Sequence, residues 1–232
     1  MTLRTKAFFT TLLIAGTLSA TLPAAAQEES FLGGELSANI TMLNDYRFRG
    51  VSLNDEGFAL QGGLDWSHDS GLYVGTWASN ISDFNGSSVE TNLYGGYAGE
   101  VNGLSFDVGG LLYHYPGGSD TDYFEVYGST GIDLGFVSAS VGANYAFSGD
   151  NLGNEDNIYL FTDGSVVIPN TAVTLDLHLG YEDGAFAAKK WDWSVGASYN
   201  YQGLDLGLTY IDTNIAGNMS DARLVFSVGT SF

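Results

Sequence analysis

From residue 36 onward the chain alternates apolar and polar positions with a period of two, the pattern of strands that keep one face in apolar surroundings. Leu36, Ala38, Ile40 and Met42 open one phase, which Phe58, Leu60, Gly62, Leu64 and Trp66 continue, followed by Leu104, Phe106, Val108, Gly110 and Leu112. The alternation is most regular near the end, where Val173, Leu175, Leu177, Leu179 and Tyr181 interleave with Thr174, Asp176, His178 and Gly180. This rhythm predicts twelve strands, at 36–43, 57–67, 71–79, 89–99, 103–114, 123–132, 135–147, 157–167, 172–181, 191–201, 203–211 and 222–232. In the third of these Tyr73 and Trp77 stand opposite Leu72 and Val74, so either face can be the outer one.

The connections alternate as well. His68 to Ser70, Glu100 to Asn102, Asp133-Leu134, Pro169 to Thr171 and Gln202 read as tight turns, whereas 44–56, 80–88, 115–122, 148–156, 182–190 and 212–221 read as longer polar loops. A meander with short turns at one end and long loops at the other is the arrangement of an outer-membrane barrel. The expected fold is therefore all-β, a transmembrane antiparallel up-and-down barrel in a single domain, residues 27–232.

Charge assigns the two faces. The third strand aside, the apolar phase carries no Asp, Glu, Lys or Arg, while the other phase carries Asp65, Glu90, Asp107, Glu125, Asp163, Asp176, Asp192 and Asp205. A soluble barrel would turn these acids to water and a membrane barrel turns them to its lumen. Three features select the membrane version: an export signal, the loop asymmetry, and a final strand in which Leu224, Phe226, Val228, Thr230 and Phe232 resemble the C-terminal assembly signal of bacterial outer-membrane barrels. The export signal is read from Arg4 and Lys6, an uncharged stretch from Ala7 to Leu22, and Ala24-Ala25-Ala26 at the cleavage position. After it no run approaches the length of an apolar membrane helix.

Composition removes other classes. The 232 residues include no Cys, which excludes disulfide scaffolds, cysteine zinc sites and thiol catalysis. With 27 acidic against 7 basic residues, a net charge of -20, the chain repels phosphate backbones, so nucleic acid is no partner. An apolar fraction of 44% separates it from acidic disordered segments.

The block Leu36-Ser37-Ala38-Asn39-Ile40, Asp45-Tyr46-Arg47-Phe48-Arg49-Gly50-Val51-Ser52, Gln61-Gly62-Gly63-Leu64-Asp65 and Gly71-Leu72-Tyr73-Val74-Gly75-Thr76-Trp77-Ala78-Ser79-Asn80 is similar to the opening of the TorF-type porins of proteobacteria. Beyond Asn80 the resemblance is one of strand rhythm and length. It implies an outer-membrane barrel in a Gram-negative bacterium and brings no catalytic residues with it.

Little enzyme chemistry is present. Of the three histidines only His178, beside Asp176, has a lumen-facing position; His114 lies nearer the outer rim, with Ser119 in the following loop and no third group. Asp150 to Asp156 offers oxygen ligands but lacks the spacing of a calcium loop, and no metal or cofactor is expected. Arg47 and Arg49 flank Phe48, and in an extended chain they point to one side, toward the lumen acids. There they form either a constriction or a salt-bridge brace.

Two functions follow. The first is passive, cation-preferring diffusion of small hydrophilic solutes or ions, with Ser138, Ser140, Gly142, Ser194, Gly196, Ser198 and Gly207 leaving room in the lumen. The second is a closed barrel whose loops bind a partner or lipopolysaccharide. Outer-membrane lipids, periplasmic chaperones and the barrel-assembly machinery are the partners expected in either case.

Overall fold

A computed structural model describes residues 32–232, and the expected export segment lies outside them. The strands are β1 Gly34–Leu43, β2 Arg47–Phe48, β3 Val51–Ser52, β4 Ala59–His68, β5 Leu72–Phe84, β6 Ser87–Val101, β7 Leu104–His114, β8 Tyr123–Asp133, β9 Val137–Ala146, β10 Asn157–Val167, β11 Val173–Gly184, β12 Lys190–Tyr201, β13 Leu204–Thr213 and β14 Arg223–Ser231. Twelve of them close one antiparallel barrel in chain order, while β2 and β3 pair only with each other. Each barrel strand matches one of the predicted twelve. At the seam β1 pairs with β14, and Phe232 exchanges backbone hydrogen bonds of 2.7 and 2.9 Å with Ala38.

Directly opposed residues share a face, so the register settles inside and outside. Asp176 pairs with Gly196 and Leu177 with Val195; the first pair lines the lumen and the second the outer wall. Leu36, Leu64, Val108, Leu177, Leu206 and Phe226 are all exposed on that wall. Exposed to water, such a belt would cost about 25 cal/mol for each Å². In a bilayer it costs nothing, and closure leaves no unpaired strand edge in lipid. The third barrel strand, β5, turns Leu72 and Val74 outward and buries Trp77 inward.

The structure departs from the sequence reading at two connections on the long-loop end. Residues 80–88 are not a loop: β5 continues to Phe84, β6 starts at Ser87, and a shift of register between Asn80 and Phe84 absorbs the mismatch. The turn is Asn85-Gly86, with φ of 50° and 96°, the two left-handed positions that match strand twist in a two-residue hairpin. β11 likewise runs on to Gly184, which carries Glu182 onto the lumen wall opposite Lys190.

Candidate functional site

Residues 44–58, between β1 and β4, fold inward as a tongue. Its β2–β3 hairpin turns at Arg49-Gly50, where φ is 49° and 86°, again two left-handed residues. That turn breaks the extended alternation, so Arg47 and Arg49 do not project together as the sequence reading expected. Arg47 stays at the root, where its Nε donates to Asp45 Oδ2 at 2.7 Å, its Nη2 to Glu56 at 3.2 Å and its Nη1 to the Asp221 carbonyl at 2.7 Å. Ser52 Oγ donates to the other Asp45 oxygen at 2.6 Å, and Asn54 Oδ1 accepts from the Tyr46 N–H at 2.9 Å. The Ser82 N–H donates to the Leu53 carbonyl at 2.8 Å, tying the tongue to β5. The buried side chains of Asp45, Arg47, Ser52 and Asn54 thus find partners inside the barrel, as burial requires.

Arg49 crosses to the far wall. Its Nη2 lies 2.8 Å from Glu125 on β8 and its Nη1 2.7 Å from Glu182 on β11, and Lys190 Nζ is 2.5 Å from the other Glu182 oxygen. The guanidinium carbon stands 4.6 Å from the Phe48 ring and 4.3 Å from that of Tyr159. Burial works against its charge, but Glu125 and Glu182 outweigh burial and raise its pKa above the ordinary arginine value. Gly50 has wall atoms so close that a Cβ there would stand 2.9 Å from Asp192 Cβ and 3.1 Å from Thr213 Cβ. Behind the tongue, Tyr46, Trp77, Leu111, Tyr113, Tyr115 and Phe48 pack together and fill that side of the outer half. Burial, with the Glu90 charge adding to it, pushes the Tyr46 phenol well above its usual pKa, so it stays a neutral donor to Glu90 at 3.3 Å.

Asp65, Glu90, Asp107, Glu125, Asp163, Asp176, Asp192 and Asp205 stand on the strand face opposite the exposed apolar wall, in two tiers. Glu90, Glu125 and Asp192 sit toward the long-loop end around the tongue, joined by Glu182. Asp65, Asp107, Asp176 and Asp205 sit toward the turn end, with Asp163 between the tiers. In the outer tier Glu125 and Glu182 are neutralised by Arg49 and Lys190. In the inner tier Asp65 bonds to Tyr94 at 2.5 Å, Asp107 to Tyr73 at 2.6 Å, Asp176 to Ser198 at 3.4 Å and Asp205 to Asn200 at 2.7 Å. No Lys, Arg or His among the described residues pairs with these four.

His178 faces the lumen, but its partners lie on neighbouring strands instead of at Asp176. Nδ1 is 2.6 Å from Asp163, and Nε2 is 3.1 Å from Asp192 and 2.7 Å from Tyr159 Oη. His114 is at the exposed rim, 2.6 Å from Asp122 and not joined to Ser119. Asp150 to Leu152 forms a short 3-10 turn, and no cluster of three metal-ligating side chains occurs among the described residues. Residues 224, 226, 228, 230 and 232 of the last strand and its end all face outward.

A closed, lipid-faced barrel of twelve antiparallel strands with a charged lumen and an inward-folded loop has the architecture of porin-like outer-membrane proteins. The chain belongs to the Gcw_chp family of bacterial proteins of unknown function, whose model matches residues 26–231. A search of curated proteins gives no match. Among solved structures the chain is similar to the KdgM porin, with 12% identity, TM-score 0.60 and coverage of 84% of this chain and 98% of that one. It is also similar to the KdgM porin in complex with disordered oligogalacturonate, at 11% identity, TM-score 0.59 and coverage of 85% and 97%. The NanC porin follows, at 10% identity, TM-score 0.57 and coverage of 85% and 98%. At these identities the likeness is one of fold.

Proposed function

We propose that this chain is an outer-membrane channel of porin type that gives passive, cation-preferring diffusion of small hydrophilic solutes or ions. On this reading it is exported by its N-terminal segment, brought to the membrane by periplasmic chaperones and inserted by the assembly machinery acting on its last strand. The resemblance of the opening block to TorF-type porins agrees with it. The observation that carries the preference for cations is the inner tier: four carboxylates on the lumen wall, held by tyrosine, serine and asparagine and paired with no basic side chain among the described residues. Low-dielectric walls focus such a potential along a water path. The tongue is the constriction, and its basic residues serve chiefly to hold it in place, since Arg47 and Arg49 are both spent on carboxylates.

One observation favours a second reading. The tongue and its aromatic backing occupy the outer half of the lumen, and Glu90, Glu125 and Tyr46 there are fully buried. That is the arrangement of a closed barrel whose loops bind lipopolysaccharide or another partner. Single-channel recording in a planar bilayer separates the two: discrete conductance steps support the channel, and their absence from correctly folded protein rejects it.

A further inference from the structure

One wall of the turn-end half of the lumen carries a run of tyrosines laid over glycines. On β4 to β8 three tyrosines, Tyr73, Tyr94 and Tyr127, lie across glycines of adjacent strands. A Cβ on Gly75 would stand 2.5 Å from Tyr94 Cζ, one on Gly96 2.5 Å from Tyr73 Oη, and one on Gly109 2.5 Å from Tyr127 Cζ. The missing side chains let the rings lie against the wall, leaving each half-buried with part of its surface toward the lumen. Their hydroxyls meet carboxylates: Tyr94 donates to Asp65 at 2.5 Å, Tyr73 to Asp107 at 2.6 Å, and Tyr127 bonds to Tyr73. This wall therefore combines aromatic surface with two carboxylates that have no basic partner.

Where this wall runs beneath the tongue, two buried side-chain oxygens lack a donor. Gln61 Oε1 and Asn92 Oδ1 have no partner, although Gln61 is only 2% exposed and Asn92 1%. Both stand on the same inward face, Asn92 one step beyond Tyr94 and Gln61 two steps beyond Asp65, with Gly63 between. The Gln61 amide touches Ser79 at 3.4 Å, and that of Asn92 touches the buried carboxylate of Glu90 at 2.9 Å. Trp77, between them on β5, adds an indole ring whose own N–H is unpartnered. Buried acceptors left without donors are costly, and in a native structure they point to a missing donor.

We propose that this wall is a binding site for organic ammonium groups, the primary amines of small hydrophilic solutes. An alkylammonium brings three N–H donors for the orphan oxygens and the carboxylates, together with a soft positive charge that aromatic faces attract. A metal ion of equal charge remains strongly hydrated and gains little from the rings. The inference rests on the reading of the lumen as a solute's path and narrows that path's solutes to amines.

Putrescine, an organic dication, and Mg2+, of the same charge, are the probes, titrated by calorimetry into the folded full-length barrel in detergent. The expected result is saturable putrescine binding at least tenfold tighter than that of Mg2+. Tyr73→Leu with Tyr94→Leu should weaken putrescine at least fivefold and leave Mg2+ unchanged, whereas Asp65→Asn with Asp107→Asn should weaken both. Tyr94→Phe, which keeps the ring, should retain most of the binding and serves as the variant least apt to disturb folding; the heat-dependent shift in gel mobility verifies the barrel in each case. Equal affinity for the two dications, or putrescine binding indifferent to Tyr→Leu, overturns the inference while leaving the channel reading intact. Putrescine binding without conductance supports the site and rejects the channel.

Discussion

Arg49 is the side chain on which the docked tongue depends most. Removing one member of a buried ion pair leaves the other charged and unpaired, a loss of about 3–5 kcal/mol; here that partner is Glu125, since Glu182 keeps Lys190. Arg49→Ala strips the guanidinium from Glu125 and Glu182, so limited proteolysis should cut within residues 44–58 faster than in the wild type while the barrel stays intact. Arg49→Lys should restore only part of the protection, because a point charge cannot span two carboxylates as a planar fork does. The pH dependence has a definite sign. A group whose pKa is raised on folding stabilises at every pH below its unfolded value, which for arginine lies far into the alkaline range, and loses that contribution only as pH rises through the still higher folded one. Alkali near pH 9 should therefore not release the tongue through Arg49, and rapid cleavage at that pH would contradict this assignment. The docking was not legible in the sequence because it is made of Asp45, Arg47, Ser52 and Asn54, which read as a solvated loop until each is seen to satisfy another. The sign that was present, a left-handed pair at Arg49-Gly50, is weaker in sequence than Asn85-Gly86, since arginine seldom takes positive φ.

For the strands, the two faces predict opposite tolerances. Leu177→Arg or Leu206→Arg places a charge in lipid and should cost about 2–4 kcal/mol near the midplane in guanidinium unfolding from bilayers. Ser194→Arg, directly across from His178 on the lumen side, should cost much less. Equal losses would mean that inside and outside are exchanged. Among the loops, the β7–β8 connection carries its own acid sensitivity. Partial burial tends to raise the Asp122 pKa, but hydrogen bonds with His114 and from the Tyr115 N–H to the ionised carboxylate hold it below the ordinary range. That contribution is present above the unfolded value and disappears as pH falls through the depressed one, so protection of the Tyr115 amide against hydrogen exchange should drop on acidification. Asp122→Asn should remove it already at neutral pH. The strands themselves were legible because lipid on one side forces every second residue to be apolar. Strand ends were less so: past Tyr181 the outward partner is no longer required to be apolar, and the chain reads as a loop although pairing continues to Gly184.

On the scale of the whole barrel, alternation, loop rhythm and the phase of the acids were enough to read the fold from sequence, while the tongue folded into the barrel was not legible. A loop's destination depends on long-range partners such as Glu125 and Glu182, which no local pattern reveals. If the tongue is the constriction, replacing 45–55 with a flexible Gly-Ser linker should raise single-channel conductance severalfold without altering the sign of selectivity, because the inner tier remains. The cation preference should weaken with salt as the screening length falls to about 3 Å at 1 M. The most direct test of the central claim is the reversal potential of the purified barrel in a planar bilayer across a KCl gradient. The account predicts a potential of cation-selective sign that shrinks stepwise through Asp107→Asn, Asp176→Asn and Asp205→Asn; an anion-selective sign, or a cation preference untouched by these changes, would contradict it.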